Sequence, residues 1–310
     1  MTPLSILRRN LRNDKLCSFM FALLTFIGSA ILNILLEINY FPVTKRGFFC
    51  NDNSIKYPYQ DESVSSKWNV IINNAASIAT FLLGEFNFTN KGKNDKNKEG
   101  KITPKNGFGN HLWFVRSIKL FMMCSWCSSI TLTLSSIIKT EVGWLRPNFL
   151  AICNPNITCS ANNTQYNEDF ICLGTEFVGE WKHMNDKLNQ GINQARRSFP
   201  SGHASYTASF AAFNILYIEK RIISSDEYVL FKPFIQFIWV GIATFISLSR
   251  VMDYYHHLQD VIFGAFLGCF VAIIGGKVCM SWLINTSNDK FNASNKVYPA
   301  VVKSNVNKSV

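Results

Sequence analysis

The chain has 310 residues, of which 48% are hydrophobic, 14% aromatic and only 16% charged, with a mean hydropathy of +0.08. This composition disfavours a disordered chain and a typical soluble enzyme, and it indicates a membrane protein. The formal net charge of +11 also fits a nucleic-acid-binding protein. Where the basic residues lie decides between these two classes.

Six apolar stretches match the length of about 20 residues that a helix needs to cross a bilayer. We therefore predict an all-α fold, a polytopic bundle of six transmembrane helices. The spans are expected at about 16–38, 69–86, 112–138, 203–219, 229–249 and 259–284. The second stretch has the weakest apolar pattern, because Asn73 and Asn74 interrupt it and Glu85 ends it.

The loops between these spans carry the basic residues unequally. With a cytoplasmic N-terminus, the inner side holds 20 of the 31 Lys and Arg residues, including the Lys-rich segment 87–110, which is expected to be a solvated loop. This orientation follows the positive-inside rule. The charge excess is thus attributed to topology and to anionic inner-leaflet lipid, and no nucleic-acid partner is expected. Residues 1–284 would form the membrane domain and 285–310 a disordered cytoplasmic tail.

The two longer outer loops contain four of the nine cysteines, Cys50, Cys153, Cys159 and Cys172. An outer, oxidising face would let these four form disulfides, and the sequence leaves their pairing open. Two glycosylation acceptors, Asn156 and Asn162, lie in the second of these loops, so we expect a glycoprotein.

Polar and ionisable residues beside membrane spans are the default functional candidates. They are concentrated in three outer segments, after the third span, before the fourth and between the fifth and sixth. The candidates are Lys139 and Arg146, then Ser201, Gly202 and His203, and finally Arg250, His256 and Asp260. Six spans bring all three segments to one membrane face.

The first part of this set has the chemistry of a phosphate-binding site. Lys139, Arg146 and Arg250 supply a point charge and two planar donor forks, which match a tetrahedral dianion. Ser201 can cap the fourth membrane helix, and Gly202 lets the backbone approach closely. N–H groups at a positive helix end would then add to the phosphate cradle.

The histidines supply the reactive groups. His256 and Asp260 are four residues apart, so we expect them on one helix face, where the carboxylate holds one imidazole nitrogen and leaves the other free to attack. His203 would protonate the departing alkoxide and later activate water. Arg196 and Arg197, just before Pro-Ser-Gly-His, are expected to be solvated loop charges.

The three segments contain Lys-x6-Arg-Pro, Pro-Ser-Gly-His and Ser-Arg-x5-His-x3-Asp, in this order. They resemble the three signature motifs of the type 2 phosphatidic acid phosphatase superfamily. Two longer stretches, Arg46 to Tyr59 and Ser249 to Asp260, further resemble the animal-type lipid phosphate phosphatases. The likeness covers roughly Leu16 to Ile284.

The resemblance implies a role for every candidate. Phosphate contacts are implied for Lys139, Arg146, Ser201, Gly202 and Arg250, the nucleophile is His256, its orienting group is Asp260, and the general acid is His203. A phosphohistidine intermediate that needs neither metal nor other cofactor is implied as well. The implied substrates are phosphatidate, lysophosphatidate, sphingosine 1-phosphate and related lipid phosphates.

Two positions depart from the animal-type pattern. Trp144 stands where a basic residue is usual, and Asn148 stands where His is usual. Both departures bear on headgroup preference. The resemblance also implies a protein that associates with membrane lipids and forms homo-oligomers, in the plasma membrane with an extracellular site or in an endomembrane with a lumenal one.

Other functions fit parts of the pattern. A catalytically silent membrane interaction protein of the same superfamily would lack site residues that this chain retains. A phosphatase of polyprenyl pyrophosphates or sugar phosphates would use the same chemistry. A vanadium-dependent haloperoxidase shares the motifs but is soluble, and a transporter would need an intramembrane charged pathway or paired broken helices, neither of which the sequence shows.

Overall fold

The computed structural model describes residues 20, 23–38, 40–98, 112–157, 159, 164–174, 191–221 and 230–281, without the side chains of 90–98. This part of the chain is mostly helical. Its helices are α1 (Leu23–Glu37), α2 (Ser66–Lys98), α3 (Leu112–Val142), α4 (Phe149–Cys153), α5 (191–195), α6 (Gly202–Arg221), α7 (Phe231–Met252) and α8 (Leu258–Ser281). A 3₁₀ turn spans Asn53–Ile55, and two short strands, β1 (Phe48–Phe49) and β2 (Tyr166–Asn167), pair antiparallel.

Each of the six expected spans overlaps a described helix, while residues 16–19, 21–22, 229 and 282–284 of those spans lie outside the described residues. Three of the described helices are long and apolar enough to cross a bilayer. These are α3, α7 and α8. The described part of α1 is apolar but shorter, while α2 and α6 have the length but too many polar residues. The mostly helical fold and three candidate membrane spans are thus confirmed, and the expected tail at 285–310 lies outside the described residues.

One local expectation is wrong. The segment 87–110 was expected to be a loop, but α2 continues through it as far as Lys98. No proline interrupts the chain before Pro104, and lysine is a good helix former, so the helix extends beyond its apolar part.

Helix α6 lies at the centre of the bundle, where it packs against α2, α3 and α7. Helix α8 also approaches it closely, because a Cβ at Gly268 would overlap the Ser205 carbonyl and a Cβ at Gly264 would lie 2.6 Å from the Ser201 carbonyl oxygen. Buried aromatic side chains such as Phe81, Phe210 and Phe213 fill the core between these helices. The first turn of α6 is therefore held firmly at one end of the bundle.

Buried hydrogen bonds between helices set the register of α6. Each joins a polar side chain of α6 to one of α2 or α3. The pairs are Thr207 with Asn73 (3.0 Å), Ser205 with Ser135 (2.9 Å), Ser209 with Ser128 (3.3 Å) and Asn214 with Ser77 (2.8 Å). These bonds satisfy many of the buried polar side chains that lower the apolar content of α6.

A loop layer, made of residues 40–65, 143–157, 159, 164–174 and 191–200, covers this end of the helices. Two disulfides, Cys50–Cys159 and Cys153–Cys172, hold it together, so all four of the cysteines expected to pair do so. Phe48, Phe149 and Phe170 stack edge to face in its small separate core. The candidate site lies between the loop layer and the helix ends.

Candidate active site

The three sequence segments meet at this end of the bundle. Lys139 lies in the last turn of α3, Arg146 in the loop after it, and Arg250 in the last turn of α7. Ser201, Gly202 and His203 begin α6, His256 occupies the turn between α7 and α8, and Asp260 lies in the first turn of α8. Six of these eight residues are buried, and Gly202 and His203 are half-buried.

The start of α6 has the features of an anion site. The Ser201 hydroxyl accepts a hydrogen bond from the Ala204 N–H at 3.4 Å, which confirms the predicted helix cap. A Cβ at Gly202 would lie 3.0 Å from Lys139 Nζ, so the ammonium group lies close beside the helix end. Backbone N–H groups and a lysine therefore converge on one point.

Tyr255 holds two arginines of the site. The guanidinium carbons of Arg250 and Arg146 lie 4.5 Å and 5.2 Å from the centroid of its ring. Cation–π contacts of this kind restrain the two planar groups without occupying their N–H donors. The sequence does not indicate Tyr255, since an aromatic residue in a chain with 26 Phe and 10 Tyr carries no spacing signal of its own.

The arginine donors are partly occupied. Arg250 donates from Nη1 to the Val64 carbonyl at 3.2 Å and from Nη2 to Glu62 Oε1 at 2.9 Å, while Arg146 Nη2 donates to Gln194 Oε1 at 3.4 Å. The Nε atoms of both arginines are buried and have no hydrogen-bond partner among the described residues. Burial lowers the pKa of Arg146 to about 10, and the charge of Arg250 adds to the effect. Arg146 thus stays charged at neutral pH and has a donor to spare.

The imidazole of His256 is held by a backbone carbonyl. Its Nδ1 lies 2.7 Å from the Ser198 oxygen and 3.8 Å from Asp260 Oδ2, so the carbonyl is its hydrogen-bond partner and the carboxylate acts only as a nearby charge. The expected shared helix face is wrong, because α8 begins at Leu258 and Tyr254, with φ of 59°, reverses the chain before it. With Nδ1 donating to Ser198, Nε2 keeps the free lone pair.

Burial also decides the charge of His256. Burial lowers the pKa of His256 to about 3. The charges of Arg146, Lys139 and Arg250 also lower this pKa, whereas Asp260 raises it. The ring is therefore neutral at physiological pH, which is the form that can act as a nucleophile.

Asp260 organises the turn around His256. Its Oδ2 accepts hydrogen bonds from the Ser198 hydroxyl at 2.6 Å and from the His257 N–H at 2.9 Å. The second of these caps the start of α8 in the manner of a capping box. Asp260 therefore positions His256 through Ser198, a residue that the sequence motifs did not indicate.

His203 faces the same cluster. Its Nε2 is buried and has no hydrogen-bond partner in the part of the chain that the structure describes. The charges of Arg250 and Lys139 and the ring of His256 lie close enough to interact with it. The structure thus brings together all eight of the residues chosen from the sequence. Within the described ranges, three nitrogen atoms of this cluster remain unpaired, as expected of a site that binds an oxyanion: His203 Nε2, Arg146 Nε and Arg250 Nε.

The expectation for Arg196 and Arg197 is wrong, because both are buried. Arg197 forms an ion pair with Glu37 at 3.3 Å. Arg196 lies over the rings of Phe149 and Phe170, at 5.1 Å and 5.2 Å. Burial lowers the pKa of both arginines. A carboxylate at the end of α1 and the aromatic core of the loop layer provide the partners that local sequence does not show.

The two unusual positions differ in their surroundings. Asn148 is fully buried, and neither its amide nitrogen nor its amide oxygen has a hydrogen-bond partner among the residues that the structure describes. Trp144 is 39% exposed and lies under the guanidinium group of Arg46, 5.5 Å from its ring centroid. Arg46 thereby brings a positive charge to the place where the basic residue is missing.

These features define a class: a helical membrane protein with a cationic cluster and two histidines buried under a disulfide-linked loop layer. Residues 119–285 match the model of the PAP2 superfamily. The chain belongs to this superfamily, as its three motifs predicted, and it is a phosphohydrolase.

Curated relatives cover most of the chain. Rat phospholipid phosphatase 1 is 32% identical over 74% of this chain and 73% of its own length, and the mouse protein of the same name is 33% identical over the same shares. Human phospholipid phosphatase 2 is 27% identical over 74% of this chain and 72% of its own length. No solved structure matches the chain.

Proposed function

We propose that this protein is an integral-membrane phosphatidate phosphatase that hydrolyses the phosphate monoesters of phosphatidate, lysophosphatidate and sphingosine 1-phosphate. Membership of the PAP2 superfamily and relatives named phospholipid phosphatases support a lipid substrate. The observation that carries the reaction is the cluster of Lys139, Arg146 and Arg250 around His203 and His256.

Binding of the substrate uses the cationic cluster. Lys139 Nζ and the N–H groups at the start of α6 would hold one side of the phosphate. The Nε donors of Arg146 and Arg250, which no described residue occupies, would hold the other. These fixed charges would stabilise the negative charge that develops on the equatorial oxygens in the transition state. Substitution of any one of them would therefore lower the rate more than the affinity.

The first chemical step is phosphoryl transfer to the protein. Nε2 of His256 attacks phosphorus, the bond to the lipid oxygen breaks, and His203, protonated when the bound phosphate dianion offsets the neighbouring cations, gives its proton to the departing alkoxide. The imidazole ring becomes positive as the new N–P bond forms. Its Nδ1–H bond to the Ser198 carbonyl and the nearby Asp260 carboxylate support that charge.

The second step regenerates the protein. His203, now neutral, takes a proton from a water molecule, and the resulting oxygen attacks phosphorus and displaces His256 Nε2. Inorganic phosphate leaves with the charge balance restored. The protein's own residues account for every proton, so this mechanism asks for no metal ion.

We further propose that residues 1–284 form a six-span domain with an inner N-terminus and an inner tail at 285–310. The loop layer and the site would then face the outside of a plasma membrane or the lumen. The two disulfides of the loop layer support this sidedness, because such bonds persist in oxidising compartments.

Phosphate release tests the proposal. The purified protein in detergent micelles should liberate inorganic phosphate from phosphatidate in the presence of excess chelator. Release from a sugar phosphate but from none of the three lipids would contradict the lipid assignment, and a strict requirement for Mg²⁺ would contradict the mechanism.

A further inference from the structure

A cavity of about 570 Å³ lies beside the candidate site, and we call it the side cleft. It opens between α1 and α3, and residues of α2 and α6 form its back wall. Its walls are mainly apolar, with Phe26, Ala30 and Ile34 on α1 and Phe121 and Leu132 on α3. The volume falls in the range of about 300–1,000 Å³ that is usual for small-molecule sites.

Polar contacts keep one edge of this cleft closed. Every fourth residue of α1 is polar and contacts α3. Trp126 Nε1 donates to Thr25 at 3.0 Å, Ser29 pairs with Ser129 at 2.7 Å, and Ser136 donates to Asn33 at 3.0 Å and to Glu37 at 3.2 Å. These bonds fix α1 along that edge, and its adjacent apolar stripe faces the open space.

Most of the polar groups that line the cleft already have hydrogen-bond partners. Asn74 Nδ2 donates to the Tyr206 hydroxyl at 3.0 Å across the back wall, and Asn33 Oδ1 accepts from Ser136. A ligand inside the cleft therefore meets mainly hydrocarbon surface and paired polar groups, with the Glu37 carboxylate at the end of α1. That environment suits a hydrocarbon chain and disfavours a charged ligand.

The upper end of the cleft points toward the phosphate site. Leu132 precedes Lys139 by two helical turns on α3, and Tyr206 follows His203 by one turn on α6, so the same helix faces continue into the site. Glu37 lines the cleft and pairs with Arg197. From Leu132 down to Phe121 the cleft extends over roughly 16 Å of helix, enough for most of an acyl chain.

We propose that the side cleft binds one hydrocarbon chain of the lipid phosphate while its headgroup lies on the cationic cluster. This inference rests on the proposed function. Moving a chain from lipid into a protein cleft brings little hydrophobic gain, because both environments are equally apolar. The cleft therefore acts by holding the phosphate ester in line with His256. Because this orients the reacting group, the cleft is expected to raise kcat/KM.

Photo-cross-linking tests where the chain lies. A lysophosphatidate with a diazirine in its acyl chain is irradiated with the His256→Ala protein in micelles, with and without excess unlabelled lysophosphatidate. Competed adducts should map to the cleft stripe of Phe26, Ala30 and Phe121. Competed adducts only on other helix faces, or labelling that the competitor does not reduce, would overturn the proposal. Phosphate release by the wild type, measured in parallel, reports on the proposed function separately.

Kinetics with a matched pair of variants provides a second test. Ala30→Trp fills the cleft, whereas Ile31→Trp adds the same ring to an outward position that is 53% exposed. The ratio of kcat/KM for hexadecanoyl to hexanoyl lysophosphatidate should fall about tenfold in Ala30→Trp only, the scale of a misplaced substrate. Equal kcat/KM ratios in the two variants would refute the proposal that the cleft binds the hydrocarbon chain.

If Ala30→Trp does not fold, Phe26→Ala provides the opposite change. Removing this ring deepens the cleft, so the chain length with the highest kcat/KM should become longer. An unchanged optimum in Phe26→Ala would count against the proposal in the same way.

Discussion

The imidazole of His256 combines two properties that a phosphoryl acceptor needs. It is kept neutral by burial among cations, and its Nδ1 is fixed by the Ser198 carbonyl so that Nε2 is free. The neighbouring His257 contacts Asp260 Oδ2 at 3.3 Å instead. We expect His256→Ala to abolish phosphate release and His257→Ala to retain most of it. Equal loss of phosphate release in both variants, measured with phosphatidate in micelles, would contradict the assignment of His256 as the nucleophile.

The lowered pKa of His256 predicts a pH dependence of stability. Because the folded protein keeps the ring neutral to about pH 3 while the unfolded chain protonates it near its ordinary value, the stabilising effect is complete above about pH 6.5 and is lost as the pH falls. The thermal midpoint of the wild type should therefore drop more between pH 7 and 4.5 than that of His256→Asn. A difference that stays constant with pH would contradict the buried neutral state.

Glu62 occupies a donor that the substrate would use. Its carboxylate lies 2.9 Å from Arg250 Nη2 and is 29% exposed, so it competes with phosphate for that group. Glu62→Gln should tighten inhibition by inorganic phosphate by up to about tenfold, the effect of about 1.4 kcal/mol. Asp61→Asn, an exposed neighbouring change, is the control. Weaker inhibition in Glu62→Gln would show instead that the carboxylate mainly holds Arg250 in place.

At the scale of the elements, the loop layer contains Arg146 and Ser198, and it covers the site. The disulfide Cys153–Cys172 closes a loop of 19 residues in it, for which chain entropy predicts about 3 kcal/mol of stabilisation. Replacing both cysteines by serine should lower the thermal midpoint and the activity together. Cys269→Ser, at a free cysteine of α8, should change neither. Full activity without the disulfide would show that the site does not depend on this part of the loop layer.

The elements also show which parts of the site the sequence indicates. Motif spacing indicated Lys139, Arg146, Arg250 and both histidines, because phosphate chemistry restricts which residue types can serve. It did not indicate Ser198, Tyr255 or Glu62, whose contacts come from packing between segments that are distant in the chain. The assumption that His256 and Asp260 share a helix failed for the same reason, since a turn closed by tertiary contacts replaces helix there.

Across the whole molecule, apolar length alone identified helices but did not explain the buried ion pairs and hydrogen bonds that join them. At the end of α6 opposite the site, Arg221 and Glu85 pair at 2.8 Å inside the bundle, and Tyr217 donates to the same carboxylate at 3.3 Å. By composition alone, such residues are polar interruptions of an apolar helix. In the folded chain they satisfy each other, so α2 and α6 are compatible with a membrane in spite of their polarity.

The topology of the whole molecule gives a further prediction. With the loop layer on the outer side, Asn156 or Asn162 should carry glycan when the protein is made in a secretory pathway. A glycosidase should shorten the glycan only after sealed inside-out vesicles are opened, and an epitope at the C-terminus should be digested without opening them. The reverse pattern would invert the proposed orientation.

The central claim is that separate segments form one phosphate site in which His256 becomes phosphorylated. Rapid quenching of the protein during hydrolysis of ³²P-labelled lysophosphatidate, followed by peptide mapping under alkaline conditions, tests it directly. The account predicts one labelled peptide with phosphate on His256, and no label in His256→Ala. Label on another residue of the wild-type protein would contradict it.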